Sequence, residues 1–268
     1  DHQEVNGGEI EMASHLNYIG DLQKGCLTVL MIPGGMATSP AVYEGIGETL
    51  ACQSAVIDWS RSPGPWDVLD IGDRTLELVK ELELGPVILA GYSAGGVIAM
   101  EAAIQDRENR ISGLLLSNTG PCTVGHGDPD LPKRILGHWF STELFEPFLD
   151  RCFAFPIDPV LREKLLDYAR QIPVNVVYEA AKTLREHDLR PRLGKITCPV
   201  VVAHGILDRT RTLEHVRMIT DGVKDTQVHL LDGGHTIMVE DRDEWVAILN
   251  CLITQIASQT KERAYGQR

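Results

Sequence analysis

Short apolar runs alternate along the chain with longer segments in which apolar residues recur at helical spacing. The run at 27–32 is almost entirely apolar, which is typical of a central strand covered on both faces. An early segment, 10–19, predicts one or two further strands. The alternation predicts an α/β fold with a mostly parallel sheet and helices on both faces. The predicted strands after the early segment lie at 27–32, 54–58, 87–91, 111–117, 199–204 and 226–231.

Helix-starting residues stand between these runs. Ser39 precedes Pro40, which suits the first position of a helix, and predicts a helix that runs to about Leu50. Asp67 and Asp158 are expected to cap two further helices, because their side chains can accept hydrogen bonds from the first free N–H groups. Helices are also predicted at 97–104, 160–171, 174–186, 213–219 and 244–256.

The strand–helix alternation stops at Gly120. A loop dense in Gly, Pro and Asp follows at 121–130, and then several helical segments with no strand until 199. We expect one core built from 1–120 and 191–268, interrupted by a helical cap at 121–190. Most aromatic residues of this cap are expected to pack its helices together. The members expected to wall an apolar substrate pocket are Trp139, Phe140, Phe153, Phe155 and Tyr178.

The sequence Gly-Tyr-Ser-Ala-Gly at 91–95 lies between an apolar strand and a helical run. A serine on such a tight strand-to-helix turn is held in strained backbone with its side chain exposed. Gly91 and Gly95 lack the side chains that would prevent the turn from closing. The helix N-terminus directs backbone N–H groups at an anion forming beside Ser93. A plain Gly/Ser turn is the alternative, and the flanking strand and helix favour the nucleophile.

This stretch resembles the nucleophile elbow of the α/β-hydrolase superfamily, and the resemblance extends from about Ile10 to Ile256. It implies an α/β-hydrolase fold with a helical cap over the active site. The chain's layout is similar to that of bacterial esterases, enol-lactonases and ring-cleavage-product hydrolases. After the 54–58 strand the family often has Asp-x-Arg-Gly-x-Gly, whereas this chain has Asp-Trp-Ser-Arg-Ser-Pro-Gly at 58–64. Because the spacing of this motif differs, the substrate class of a particular subfamily cannot be inferred for this chain.

A serine nucleophile needs a base and a carboxylate that orients the base. The family order is Ser, acid, His. His235 is the expected base, because it follows the last strand on a loop with two glycines, and Asp208 is the expected acid, just past the strand that ends at 204. Asp232 is a weaker rival for the acid. The other position that the family uses for the acid falls near Asn118, where an amide cannot serve.

The oxyanion hole needs two backbone donors that point at the developing negative charge. The residue after the nucleophile, Ala94, is expected to supply one. The loop after the 27–32 strand is expected to supply the other, through Gly35 or, failing that, Met36. The family usually has His-Gly-x there, and this chain has Pro-Gly-Gly at 33–35.

The chain carries a formal charge of −13 at pH 7. This charge disfavours nucleic acid and anionic membranes as partners. No apolar run reaches transmembrane length, and no N-terminal stretch has the pattern of a signal peptide, although the first residue, Asp1, leaves open an upstream segment that was removed. The six cysteines are scattered, as expected of reduced thiols in a cytoplasmic protein. We see no metal-ligand cluster and no phosphate-binding loop, so no cofactor is expected.

The pattern predicts a serine hydrolase that cleaves a small carboxylic ester or lactone through an acyl-enzyme on Ser93. Carbon–carbon bond hydrolysis of a dienoate ring-cleavage product and thioester hydrolysis are the alternatives within the same chemistry. A small-molecule receptor on the same scaffold is the alternative from another class, and turnover distinguishes it. The sequence does not identify the substrate or the oligomeric state.

Overall fold

Seven strands form one sheet in the computed structural model, which describes residues 14–125 and 127–266. The strand order is β1-β3-β2-β4-β5-β6-β7; β1 runs antiparallel to β3, and every other neighbouring pair is parallel. The expected mostly parallel sheet is therefore confirmed. The strands are β1 (Tyr18–Ile19), β2 (Thr28–Ile32), β3 (Gln53–Ile57), β4 (Val87–Tyr92), β5 (Ile111–Ser117), β6 (Val200–Gly205) and β7 (Thr226–Leu231).

Helices cover both faces of the sheet. Their bounds are α1 (Val68–Glu81), α2 (Ala94–Gln105), α3 (Leu131–His138), α4 (Phe145–Arg151), α5 (Pro159–Gln171), α6 (Val174–Glu186), α7 (Leu213–Gly222), α8 (Ile237–Glu240) and α9 (Arg242–Gly266). Every residue of β2 and β4 is buried, because these strands lie inside the sheet with helices above and below. On β5, Gly113 faces Leu252 of α9, and Ser117 accepts a hydrogen bond from Trp245 of the same helix.

The prediction of one helix from Pro40 to about Leu50 is wrong. Two short 3₁₀ helices, Pro40–Tyr43 and Gly47–Thr49, take its place. Ser39 does cap the first of them by accepting a hydrogen bond from the Ala41 N–H at 3.1 Å. Gly45 lies between the two with a φ of 72°, a left-handed conformation that cannot continue a right-handed helix. Of the expected early strand at 10–19, only Tyr18–Ile19 is a strand, and residues 10–13 lie outside the described residues.

Four helices, α3 to α6, lie between β5 and β6, in the segment where the alternation breaks. Polar contacts connect them to the sheet. The Tyr168 hydroxyl on α5 donates to the Asp58 carboxylate at the end of β3, and the Arg61 guanidinium lies 4.4 Å from the Tyr168 ring centroid. Lys164 forms an ion pair with Glu44 at 2.6 Å. Within the described part of the chain, no helix combines the length and apolarity needed to cross a bilayer.

Candidate active site

Ser93 occupies the turn between β4 and α2 with a φ of 53° and a ψ of −118°. A non-glycine residue in such a sparsely populated region costs on the order of 1–3 kcal/mol and is held by its surroundings. The two flanking glycines are sterically required. A Cβ atom on Gly91 would lie 2.3 Å from the Gly95 carbonyl oxygen, and one on Gly95 would lie 2.1 Å from the Ile32 carbonyl oxygen. The elbow therefore closes because both positions lack a side chain.

A chain of hydrogen bonds joins Ser93, His235 and Asp208. The Ser93 Oγ lies 3.0 Å from His235 Nε2, and His235 Nδ1 lies 2.8 Å from Asp208 Oδ2. An ionised carboxylate can only accept, so Nδ1 carries the proton and Nε2 is left to accept from the serine hydroxyl. The side chains of His235 and Asp208 are 1% and 0% exposed, so this pair is shielded from water. The three residues singled out in the sequence thus meet in space.

Asp208 accepts three further hydrogen bonds besides that from His235. The backbone N–H groups of Thr210 and Arg211 donate to Oδ1 at 2.6 and 2.9 Å, and Asn118 Nδ2 donates to Oδ2 at 2.8 Å. Burial alone would raise the pKa of this carboxyl, but the charge of His235 and these hydrogen bonds outweigh it and hold the pKa well below its ordinary value. The sequence excluded Asn118 as the acid; its role as a donor to the acid was missed.

A buried cation lies beside this carboxylate. The side chain of Arg211 is 0% exposed, and its Nη1 donates to the Cys122 carbonyl at 2.7 Å. Burial lowers the pKa of Arg211 to about 10, while the charge of Asp208 acts in the opposite direction. The guanidinium therefore stays charged at neutral pH, and it favours the ionised form of Asp208.

Asp232, the rival for the acid, and two other histidines are not part of this hydrogen-bond chain. Asp232 is exposed, and its backbone N–H donates to Asp241 rather than to any group of the site. His204 is buried within β6, where burial lowers its pKa. His229 lies on the edge strand β7. The hydrogen bonds from Ser93 thus run through His235 to Asp208 and include none of these three side chains.

The backbone N–H groups of Gly35, Met36 and Ala94 lie near Ser93 and donate to no described residue. Ala94 is the first residue of α2, and the first N–H groups of a helix have no partner inside it. Gly35 adjoins it, since a Cβ on Gly35 would lie 3.3 Å from the Ala94 Cβ. Met36 has a φ of 54°, so the loop turns sharply here. These groups could bind an oxyanion formed beside Ser93.

Ser93 and His235 line a cavity of about 50 Å³. The inserted helices contribute one wall of this cavity, through Leu131, Phe148, Ala180, Ala181, Leu184 and Arg185. Phe148 also lines a small apolar cavity of about 30 Å³ and a larger one of about 150 Å³, so it borders all three. The space around Ser93 therefore has an apolar extension and a second, roomier extension.

The aromatic residues expected at the pocket do not line the cavity at Ser93. Trp139 and Phe140 instead pack on Phe145, with ring centroids 5.1 and 5.3 Å apart, because the short helices of the insert must bury their own apolar faces. Phe155 is 46% exposed, and Tyr178 packs half-buried against the core. Phe153 lines the small apolar cavity next to the site. The walls at Ser93 come instead from Phe148 and from smaller aliphatic residues.

No group of three or more His, Cys, Asp or Glu side chains in the described ranges could hold a metal ion. The chemistry that the arrangement supports is thus that of a serine hydroxyl with an adjacent base, an orienting carboxylate and free N–H donors. Fold and site together define a protein of the α/β-hydrolase type.

The model of the alpha/beta hydrolase family matches residues 29–248, so the chain belongs to this family. It is 26% identical over 215 residues to the AB hydrolase superfamily protein YisY of Bacillus subtilis, covering 75% of this chain and 78% of that protein. It is 29% identical over 198 residues to the pimeloyl-(acyl-carrier protein) methyl ester esterase of Edwardsiella ictaluri, covering 67% and 74%.

Among solved structures, the enol-lactonase from Burkholderia xenovorans is similar with a TM-score of 0.77 at 18% identity, covering 90% of this chain and 96% of that chain. At this identity the likeness concerns the fold. The family and the relatives named as hydrolases support hydrolase activity for this chain.

Proposed function

We propose that this protein hydrolyses a small carboxylic ester or lactone through an acyl-enzyme on Ser93, with His235 and Asp208 as the other catalytic residues. The observation that carries the proposal is the continuous hydrogen-bond chain from Ser93 Oγ through both ring nitrogens of His235 to Asp208. It supplies a nucleophile, a base in reach of its proton, and a carboxylate that fixes the tautomer of the base.

Acylation begins when Ser93 Oγ attacks the ester carbonyl while His235 Nε2 takes the hydroxyl proton. The C–O bond to the leaving alcohol then breaks, and Nε2 returns the proton to that oxygen. In deacylation a water molecule gives a proton to Nε2 and attacks the acyl carbon. The bond from that carbon to Ser93 Oγ then breaks, and Nε2 returns the proton to Oγ as the carboxylic acid leaves. The negative oxygen in both steps binds the N–H groups of Ala94 and Gly35, with Met36 as the alternative to Gly35.

The helices at 121–190 act in this proposal as a cap over the core built from 1–120 and 191–268. They provide the wall opposite the serine, and the volumes of the three adjoining cavities fit a small substrate. An ester or lactone is favoured over other acyl compounds by the names of two similar proteins, a methyl ester esterase and an enol-lactonase. Thioester and carbon–carbon bond hydrolysis remain the alternatives for the same residues.

A cytoplasmic location is part of the proposal, because all six cysteines are free and four of them are exposed or half-buried. A small molecule is the proposed partner. The charge of −13 disfavours nucleic acid and anionic lipid surfaces.

The test is covalent labelling of Ser93 with a fluorophosphonate, followed by steady-state turnover of 4-nitrophenyl acetate and γ-butyrolactone. We expect label on Ser93 alone, multiple turnovers, and a loss of kcat of about 10³-fold or more in Ser93→Ala. Label on another residue of the folded protein would refute the mechanism. A single turnover followed by a stable acyl-enzyme would support the receptor alternative. Faster cleavage of a matched thioester would favour thioesters over esters and lactones as the substrate class.

A further inference from the structure

The cavity of about 150 Å³ that adjoins the site has a basic lining. Four arginines, which we call the basic mouth, contribute to it: Arg134, Arg151, Arg185 and Arg209. The carboxylates that line the same cavity are Asp128 and Glu143. The lining of this cavity therefore has a net positive charge, whereas the whole chain has a formal charge of −13.

The basic mouth is continuous with the space around Ser93. The two cavities share Leu131, Phe148, Arg185 and Thr210 in their walls. Arg185 lies in the last turn of α6 and is the arginine that borders both cavities. A ligand that is bonded to Ser93 and extends into the larger cavity must therefore pass this guanidinium.

The backbone holds the Arg185 guanidinium in place without neutralising it. Its Nε donates to the Asp128 carbonyl at 3.2 Å, and its Nη1 donates to the Ala181 carbonyl at 3.0 Å. No carboxylate of the described residues lies within ion-pair distance of Arg185, and Asp128, whose charge acts to raise the pKa of Arg185, is itself paired with Arg134. A guanidinium has five N–H bonds, so three remain for a ligand. A positioned, half-buried cation with free donors is well suited to bind a carboxylate.

The other members of the basic mouth divide into paired and unpaired arginines. Arg134 is paired with Asp128 at 2.9 Å. Arg151 and Arg209 form no ion pair with described carboxylates, and Arg209 Nη2 donates to two backbone carbonyls, those of Asp150 and Phe153. Three of the four arginines thus lack an ion-pair partner among the described residues, and Glu143 is the lining carboxylate that remains to oppose them, so the outer end of the path from Ser93 keeps a net positive charge.

We propose that the substrate carries a carboxylate, separate from the scissile ester, which Arg185 binds at the junction with the basic mouth. The inference rests on the proposed ester hydrolysis at Ser93. The opposite extension of the site, lined by Met36, Val42 and Leu149 among others, is apolar and holds about 30 Å³, so it suits the short neutral end of the molecule. The substrate class is therefore an ester of a short chain that ends in a carboxylate.

Two pairs of isosteric esters test this class. Mono-4-nitrophenyl adipate and 4-nitrophenyl 6-oxoheptanoate differ in the charge of the acyl end, and 4-acetoxybenzoate and 4-acetylphenyl acetate differ in the charge of the alcohol. The variants are Arg185→Gln and, as a matched control on the exposed face of the same helix, Lys182→Gln, whose ammonium contacts Glu186 and lines none of these cavities.

We expect the wild type to prefer the anionic member of one pair, and Arg185→Gln to lower that preference by about 10- to 100-fold, the usual loss for a charged hydrogen bond. Lys182→Gln should keep it. Arg151→Gln, which removes an exposed charge of the basic mouth without breaking a described hydrogen bond, should lower it by a smaller factor that shrinks at 1 M salt. Equal rates within both pairs, or a preference that survives in Arg185→Gln, would overturn the inference.

A binding measurement separates this inference from the proposed function. We expect adipate to raise the melting temperature of wild type and Ser93→Ala relative to sodium chloride at equal ionic strength, and to leave Arg185→Gln unchanged. If Ser93 neither reacts with the fluorophosphonate nor turns over any ester, the proposed function fails, and the melting shift still decides whether Arg185 binds a carboxylate. If neutral esters are cleaved but adipate binds all variants alike or none, only the carboxylate inference fails.

Discussion

Replacing Asp208 with asparagine tests the hydrogen-bond chain at its least exposed member. The carboxylate accepts from two backbone N–H groups on Oδ1 and from His235 and Asn118 on Oδ2. An asparagine has one acceptor oxygen and one NH₂ group in place of two acceptors. The two backbone donors cannot move without unwinding the turn at Thr210 and Arg211, so the amide oxygen must face them. The NH₂ group then faces His235 and Asn118.

That orientation determines the tautomer of the base. An NH₂ donor opposite His235 Nδ1 requires a lone pair on Nδ1, which moves the ring proton to Nε2. Nε2 then cannot accept the Ser93 proton, so kcat should fall by about 10⁴-fold, equivalent to roughly 5.5 kcal/mol in activation free energy. The new NH₂ also opposes the NH₂ of Asn118. The free energy of unfolding should therefore drop as well, by on the order of 2 kcal/mol for the lost charged hydrogen bond.

The assay is kcat for 4-nitrophenyl acetate together with the rate of fluorophosphonate labelling, on protein shown to melt cooperatively. Asp232→Asn is the matched control, because it makes the same change on an exposed side chain that lies close by in sequence. We expect less than a threefold effect there. A mild effect in Asp208→Asn combined with a large loss in Asp232→Asn would refute the assignment of the acid, and a large loss in both would point to a general effect on folding.

Three further predictions follow from the same contacts. In Gly95→Ala the new Cβ would lie 2.1 Å from the Ile32 carbonyl oxygen, so we expect lost activity and a lower melting temperature, whereas Gly137→Ala, with nothing within 4 Å, should be neutral or slightly stabilising. Phe148→Ala should lower kcat/KM for a bulky ester more than for an acetyl ester, because this ring borders all three cavities; equal losses would assign specificity to the sheet loops. The folded-state pKa of Asp208 is depressed, so below about pH 5 the unfolded chain binds more protons than the folded one. Urea titrations should therefore show that lowering the pH reduces the stability of the wild type more steeply than that of Asp208→Asn.

Much of the fold could be predicted because its signals are local. A buried strand such as β2 or β4 reads as a continuous apolar run, and helix starts such as Asp158 depend on residues two or three positions away. The helix predicted after Ser39 failed for a local reason as well, since the backbone of Gly45 takes a left-handed conformation that its neighbours did not reveal. The spacing of apolar residues thus predicts most helices and strands, but one residue in a left-handed conformation can end a helix that this spacing predicts.

The sequence by itself also determined where the chemistry would be concentrated. The resemblance to the α/β-hydrolase superfamily implied a serine, an acid and a histidine in that order, and in the structure His235 lies within hydrogen-bond distance of both Ser93 and Asp208. Their catalytic roles remain predictions that the experiments above test. The three positions could be chosen because the motif at 91–95 and the family order of serine, acid and histidine are both local features of the sequence.

Only the tertiary structure decided what surrounds these three residues. Asn118 donates to Asp208 across 90 positions of sequence, and the wall at Ser93 comes from Phe148 and Arg185 rather than from the aromatic residues that hydrophobicity alone selected. Apolar side chains on the inserted helices can pack on one another or face a substrate, and the two options have the same local pattern. The choice depends on how those helices are oriented over the sheet, which is set by long-range packing between segments far apart in the chain.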